Sequence, residues 1–137
     1  MSVKFYDTAE DNLLKFAVIV SVSKGKWVLC KHKDRNTLEA PGGTREKGEE
    51  ILETAVRELY EETGAVDYII TPVCVYSVKD DLSETFGMLY FAEINKFEEK
   101  LHNEIEKIYL LDELPSNWTY PMIQPYLIQE VLRRNFV

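Results

Sequence analysis

The chain reads as an α/β/α sandwich around a mixed β-sheet. Three observations predict this. Runs rich in Val, Ile, Leu and aromatic residues outnumber the helical patterns. The two helical patterns are interleaved with those runs, one in the middle of the chain and one at its end, so the element order is mixed. And 137 residues with 45% hydrophobic content are enough for one domain with a real core and too few for two ordinary ones, so residues 1–137 are expected to form a single domain.

The first twelve residues are polar and acidic, show no signal-peptide character, and are assigned no element. Residues 13–22 and 26–31 are strand-like and separated by Ser23-Lys24-Gly25, a tight turn. The first of these runs is the longest apolar one. Lys15 interrupts it and it is too short to span a bilayer, so a soluble, cytoplasmic chain with no membrane partner is expected. A polar stretch, residues 32–36, leads to Pro41-Gly42-Gly43, where the chain is expected to turn sharply.

Residues 50–63 carry the clearest helical period. Ile51, Ala55 and Leu59 fall four apart with Leu52 and Val56 beside them, and Gly64 follows where a glycine commonly ends a helix. Residues 66–79 and 85–94 read as long strands around an acidic turn at Asp80-Asp81, and residues 105–111 as another strand. Asp112-Glu113-Leu114-Pro115 breaks the pattern. Residues 121–134 form a final helix with Met122, Tyr126, Ile128 and Leu132 available for packing.

A formal charge of −8 argues against a duplex-binding surface, and it means that an anionic substrate needs cations between itself and the protein. Cys30 and Cys74 sit in apolar runs without CxxC or Cys/His spacing and read as buried thiols. His32 and His102 lack metal-ligand spacing and read as surface residues, although His32 lies on a strand leading toward the glycines and could face substrate. Trp27, Phe16, Phe86, Tyr90 and Phe91 read as core, with one or two free to line a nucleobase pocket. Lys31, Lys33 and Arg35 form a small basic group. A solvated turn is the simpler reading; a rim that helps hold phosphates, with Arg35 binding substrate, would offset the net charge.

The middle helix holds the chemistry. At about 100° per residue, Glu61 lies roughly 60° to one side of Glu58 and Glu62 roughly 40° to the other. All three carboxylates are therefore expected on one face, away from the Ile51/Ala55/Leu59 stripe. Like charges at this spacing near a helix C-terminus are unfavourable. Among 24 acidic residues a solvated face is the bland explanation. Three oxygen donors in register behind a glycine-bearing loop are equally what hard cations such as Mg²⁺ or Mn²⁺ take.

The string Gly43-x5-Glu49-x7-Arg57-Glu58-Leu59-x-Glu61-Glu62-x-Gly64-Ala65 resembles the Nudix box of the MutT-like pyrophosphohydrolases at every defining position. Pro41-Gly42-Gly43 before it, and Glu104-Ile105 with residues 111–115 after it, resemble the family's flanks, so the likeness extends over most of the chain. The resemblance implies a Nudix-type sandwich and Mg²⁺ or Mn²⁺ bound by Glu58, Glu61 and Glu62 with the Gly42 carbonyl. It implies Gly42 and Gly43 against the substrate, an Arg57–Glu49 pair that braces the loop, and Glu104 as a further ligand or base. The implied reaction is in-line attack of water on a phosphoanhydride, with a glutamate taking the proton. The expected substrate is a nucleoside triphosphate, with an oxidised purine (8-oxo-dGTP-like) triphosphate one option. Dinucleoside polyphosphates, nucleotide sugars and RNA 5′-triphosphate ends are alternatives, as is a regulatory module that kept the fold without the chemistry. Two positions depart from the family pattern and bear on the substrate pocket: Leu38, where Trp is frequent, and Arg45, where an apolar residue is common.

Overall fold

The computed structural model describes residues 1–99 and 105–137. Its elements in chain order are β1 (Ser2–Tyr6), β2 (Leu14–Ser23), β3 (Lys26–His32), β4 (Gly42–Thr44), α1 (Ile51–Thr63), β5 (Ala65–Lys79), β6 (Glu84–Phe97), β7 (Ile105–Leu111) and α2 (Gln124–Arg133). Among the described residues the strands form one sheet in the order β1-β5-β6-β2-β3-β7, with β4 pairing β2. Among the described strands β2 and β6 pair in parallel and the other strand pairs are antiparallel, which makes the sheet mixed as expected.

Strand β2 is the hub because both of its faces are apolar. Ala17 and Ile19 point to the side covered by Ala55 and Leu59 of α1. Val18, Val20 and Val22 point to the other side, against Leu127, Ile128 and Val131 of α2. The two-residue period of a strand thus feeds two cores, and the sandwich follows. The β2–β3 turn has Lys24 at φ 51° and Gly25 at φ 78°, a pair of left-handed residues of the kind that closes a two-residue hairpin. No helix among the described residues is long and apolar enough to cross a membrane.

Four expectations need correction. Residues 2–6, assigned no element, form an edge strand, because Ser2 to Tyr6 find open backbone partners along Val75 to Lys79 of β5. The Pro41-Gly42-Gly43 segment bends at Pro41, but its glycines are strand residues of β4, paired with Phe16 to Val18, and not turn residues. Neither glycine has a positive φ. Close approach accounts for them instead: a Cβ on Gly42 would fall 2.5 Å from the Ala17 carbonyl oxygen, and one on Gly43 would displace the Glu58 carboxylate. In α2 the buried residues are Gln124, Leu127, Ile128, Glu130 and Val131, whereas Tyr126 and Leu132, and Met122 before the helix, are exposed. The helix begins at Gln124, three residues later than expected, and its packing stripe follows from that start. In α1, Glu62 is not turned away from the apolar stripe but lies on it, with Ala55 and Leu59.

Candidate active site

The C-terminal half of α1 packs against strand β4. Helix α1 is held at both ends by local chemistry. Glu50 and Glu53 form a reciprocal capping box at its start, and Gly64, at φ 75°, ends it in the left-handed conformation. The Gly42 amide donates to Glu62 Oε1 at 2.7 Å, and Gly43 leaves the room that the Glu58 carboxylate fills. Arg57 binds these parts into one unit. Its guanidinium donates through Nε to Glu49 Oε2 at 2.7 Å and through Nη2 to Glu49 Oε1 at 3.1 Å. Nη1 donates to Glu58 Oε1 at 2.6 Å, and Nη2 also reaches the Thr44 carbonyl at 3.1 Å. The planar five-donor fork suits this branching role, which a lysine could not fill.

The opposite wall comes from β3 and the segment after it. His32 Nε2 lies 3.0 Å from Glu62 Oε2 and 3.4 Å from Glu39 Oε2. The Glu39 side chain is buried, and Arg35 Nη1 donates to its other oxygen at 2.8 Å. Arg35 also lies over the Tyr120 ring, 5.9 Å from its centroid. Together with Gly42, Glu58, Glu61 and Glu62, these residues line a cavity of about 540 Å³. His32 is therefore not a plain surface residue. Glu39 and Tyr120 went unnoticed in the sequence. A signal for the His32 wall was present, since positions 30 and 32 of a strand share a face. Glu104 and His102 lie outside the described residues.

The charges are poised for a cation. Burial pushes the Glu62 carboxyl up to about 8, against an opposing pull from the Gly42 amide and with a further push from the Glu58 charge. Burial also raises Glu58, with Arg57 pulling the other way. By contrast, the Arg57 hydrogen bonds hold Glu49 at about 2. A permanently ionised Glu49 holds Arg57 in place, while the deeper glutamates resist ionising in the absence of positive charge. Their all-oxygen donor set fits a hard divalent ion.

A second cavity, of about 330 Å³, adjoins the first and shares Glu39, Gly42 and Tyr120 with it. Its walls are mostly apolar: Phe16, Val18, Tyr76, Val78 and Ile123, with Thr85 and Gln124 as polar points. Of the aromatic candidates, Phe16 faces this cavity, whereas Tyr90 and Phe91 are buried in the core. Gln124 is positioned by its own fold contact, accepting from the Ala40 amide at 2.7 Å. Neither departure from the family pattern lines the two cavities. Leu38 is buried in the α2-side core. Arg45 donates to the Glu49 carbonyl at 2.7 Å, the Asp11 carbonyl at 2.9 Å and the Asp11 carboxylate at 3.0 Å, tying down residues 45–49.

A family model described as the NUDIX domain matches residues 12–130. The chain belongs to the NUDIX family. The “Putative 8-oxo-dGTP diphosphatase YtkD” of Bacillus subtilis is 33% identical to it over 118 residues, which is 85% of this chain and 74% of that protein. The ADP-ribose pyrophosphatase of Bacillus subtilis is 33% identical over 89 residues; there 61% of this chain matches, and it spans about half, 48%, of the relative. Among solved structures, the Bacillus subtilis pyrophosphohydrolase BsRppH superposes with a TM-score of 0.81 at 26% identity, covering 98% of this chain and 92% of that one. The NUDIX domain of Shewanella oneidensis NrtR, complexed with ADP ribose, has a TM-score of 0.68 at 17% identity over 88% of this chain and 87% of that one, and shows the fold alone. The chain is accordingly a Nudix pyrophosphohydrolase of a family whose members generally depend on divalent metal and act on nucleotide phosphoanhydrides.

Proposed function

We propose that this Nudix hydrolase cleaves a nucleoside triphosphate to the monophosphate and pyrophosphate, with an oxidised purine triphosphate as the leading substrate. One observation carries the reading: an acid-lined cavity and a mostly apolar cavity of about 330 Å³ adjoin, with Gly42, Glu39 and Tyr120 lining both. A molecule with a polyanionic chain on an aromatic head fits that division. The name of the 33% identical relative supports the same substrate class.

In this reading Glu58, Glu61 and Glu62, with the Gly42 carbonyl, would hold Mg²⁺ or Mn²⁺. Such an ion, when bound, neutralises charge on the phosphate oxygens and makes water a better nucleophile. Arg57 and Glu49 are positioning residues that hold Glu58 and β4 in register. Arg35 spends one donor on Glu39 and keeps others for a phosphate oxygen. Gly42 and Gly43 let the chain approach the substrate without side-chain obstruction. The proton from water passes to a carboxylate of the crowded group, whose members titrate as a coupled set; Glu104 is the further member that the family pattern suggests.

The test is release of phosphate and pyrophosphate, with Mg²⁺ or Mn²⁺, across a panel of nucleotides. The panel includes canonical and oxidised triphosphates, ADP-ribose, dinucleoside polyphosphates, nucleotide sugars and RNA 5′-triphosphate ends, with Glu61→Gln as control. Pyrophosphate from one triphosphate, lost in the variant, is the expected result. Turnover confined to ADP-ribose or another diphosphate would overturn the triphosphate reading.

A further inference from the structure

Behind the acidic cleft lies a donor set of a different character. Cys30 and His32 project from the same face of β3, and Glu39 is bridged to Cys30 across the neighbouring segment. Donor atoms of Cys30, His32 and Glu62 all lie within 4.8 Å of one another. His32 Nε2 stands 3.0 Å from Glu62 Oε2 and 3.4 Å from Glu39 Oε2. With zinc–nitrogen and zinc–oxygen bonds of about 2.0–2.2 Å, the edge of a tetrahedral site is about 3.3–3.5 Å. The 3.4 Å separation from Glu39 matches that edge, and the 3.0 Å separation from Glu62 is the shorter one that an entering ion would spread. The sulfur needs about 3.6 Å to nitrogen or oxygen, and it lies within 4.8 Å of both the His32 and Glu62 donors.

We propose that Cys30, His32 and Glu62, with Glu39 as fourth donor, form a site for a borderline divalent cation of the Zn²⁺ class. A thiolate and an imidazole select zinc or cobalt over magnesium, whose preference is for oxygen alone. On binding, the Cys30 thiol gives its proton to solvent and a metal–sulfur bond forms, with no change of oxidation state. Glu62 belongs to both donor sets, and a zinc ion that draws its carboxylate toward His32 draws it away from the activating metal. Zinc is therefore an inhibitor that competes with the activating metal, a consequence that rests on the role proposed for Glu62 above.

The experiment is a Co²⁺ titration of the metal-free protein, followed by absorption and then by displacement with Zn²⁺. The expected result is a near-ultraviolet thiolate-to-cobalt band with strong visible bands of a four-coordinate ion, saturating at one Co²⁺ and erased by Zn²⁺. In Cys30→Ser the thiolate band disappears and zinc binds at least about tenfold more weakly, while Mg²⁺-dependent turnover is unchanged. His32→Gln keeps the buried cysteine and also loses at least about tenfold in affinity. Absence of the thiolate band in the unaltered protein, its survival in Cys30→Ser, or unchanged affinity in His32→Gln overturns the site. Because the spectrum is read without substrate, failure of the hydrolase reading leaves it standing. Bands accompanied by no zinc inhibition of Mg²⁺-dependent turnover would keep the site and refute its sharing of Glu62.

Discussion

Replacing Glu62 by glutamine separates the cost of the site from its use. In the metal-free protein burial pushes this carboxyl from an ordinary 4.5 up to about 8. A carboxyl raised on folding leaves stability untouched below pH 4.5. As pH rises toward 8 the unfolded chain ionises first and the folded state loses ground. At pH 7 the loss is roughly 3 kcal/mol, from about 2.5 pH units at 1.36 kcal/mol each. Glutamine has the same shape, keeps an oxygen for the Gly42 amide, and never ionises. For 137 residues, at about 2.1 cal/mol/K each, 3 kcal/mol corresponds to a melting-temperature gain of about 10 °C. The assay is thermal unfolding of both proteins in chelator between pH 4.5 and 8. Glu62→Gln should melt with the unaltered protein at pH 4.5 and progressively above it as pH rises. Saturating Mg²⁺ should then stabilise the unaltered protein, by about 2.7 kcal/mol at a hundredfold excess over Kd, and leave the variant unmoved. Equal melting temperatures across the range, or a variant less stable at pH 8, would refute the argument that this site stores an unfavourable charge for a cation.

Other outcomes follow from the same geometry. Glu61→Gln, at the more exposed end of the trio, should leave the melting temperature unchanged and reduce turnover by roughly 100-fold or more in steady-state kinetics. Gly43→Ala should fold normally, because its backbone is not left-handed, yet displace the Glu58 carboxylate and weaken metal binding measured by calorimetry. Gly64→Ala should do the reverse, losing about 1 kcal/mol of stability from its positive φ and sparing the metal. Arg57→Ala should lower the melting temperature and disorder residues 44–49. Glu49, held at about 2 by Arg57, contributes stability above its ordinary 4.5 that fades as pH falls toward 2, so the gap between the two proteins should close over that window in acid titrations.

The local elements of this fold were legible because their signals are local. The turn at residues 23–25, the four-residue stripe of α1 and the glycine after it each depend on neighbours in sequence. The Arg57–Glu49 pair was implied by the resemblance to the Nudix box, and Arg57 Nε donates to Glu49 Oε2 at 2.7 Å. Glu62 was misread by a small angular margin. Helical projection grouped it with Glu58 and Glu61, yet the same projection puts it within about 20° of Ala55, and the packing against β2 decided which neighbourhood prevailed. The face of α2 was misread for a related reason: an expected start three residues too early left the packing stripe to be chosen by apolarity alone, and Met122, Tyr126 and Leu132 are apolar without being buried.

By itself the sequence determined that a carboxylate helix follows a glycine-bearing segment in an α/β/α sandwich, because periodicity, capping and spacing are properties of consecutive residues. Only the tertiary structure decided what faces that helix. Glu39, His32, Arg35 and Tyr120 reach the cleft because β3 runs antiparallel to β2 and the segment after it folds back to Cys30. The ionisation of Glu62 was likewise decided there. A carboxyl's affinity for its proton depends on how much water the surrounding chain leaves it, and burial is a property of the assembled fold.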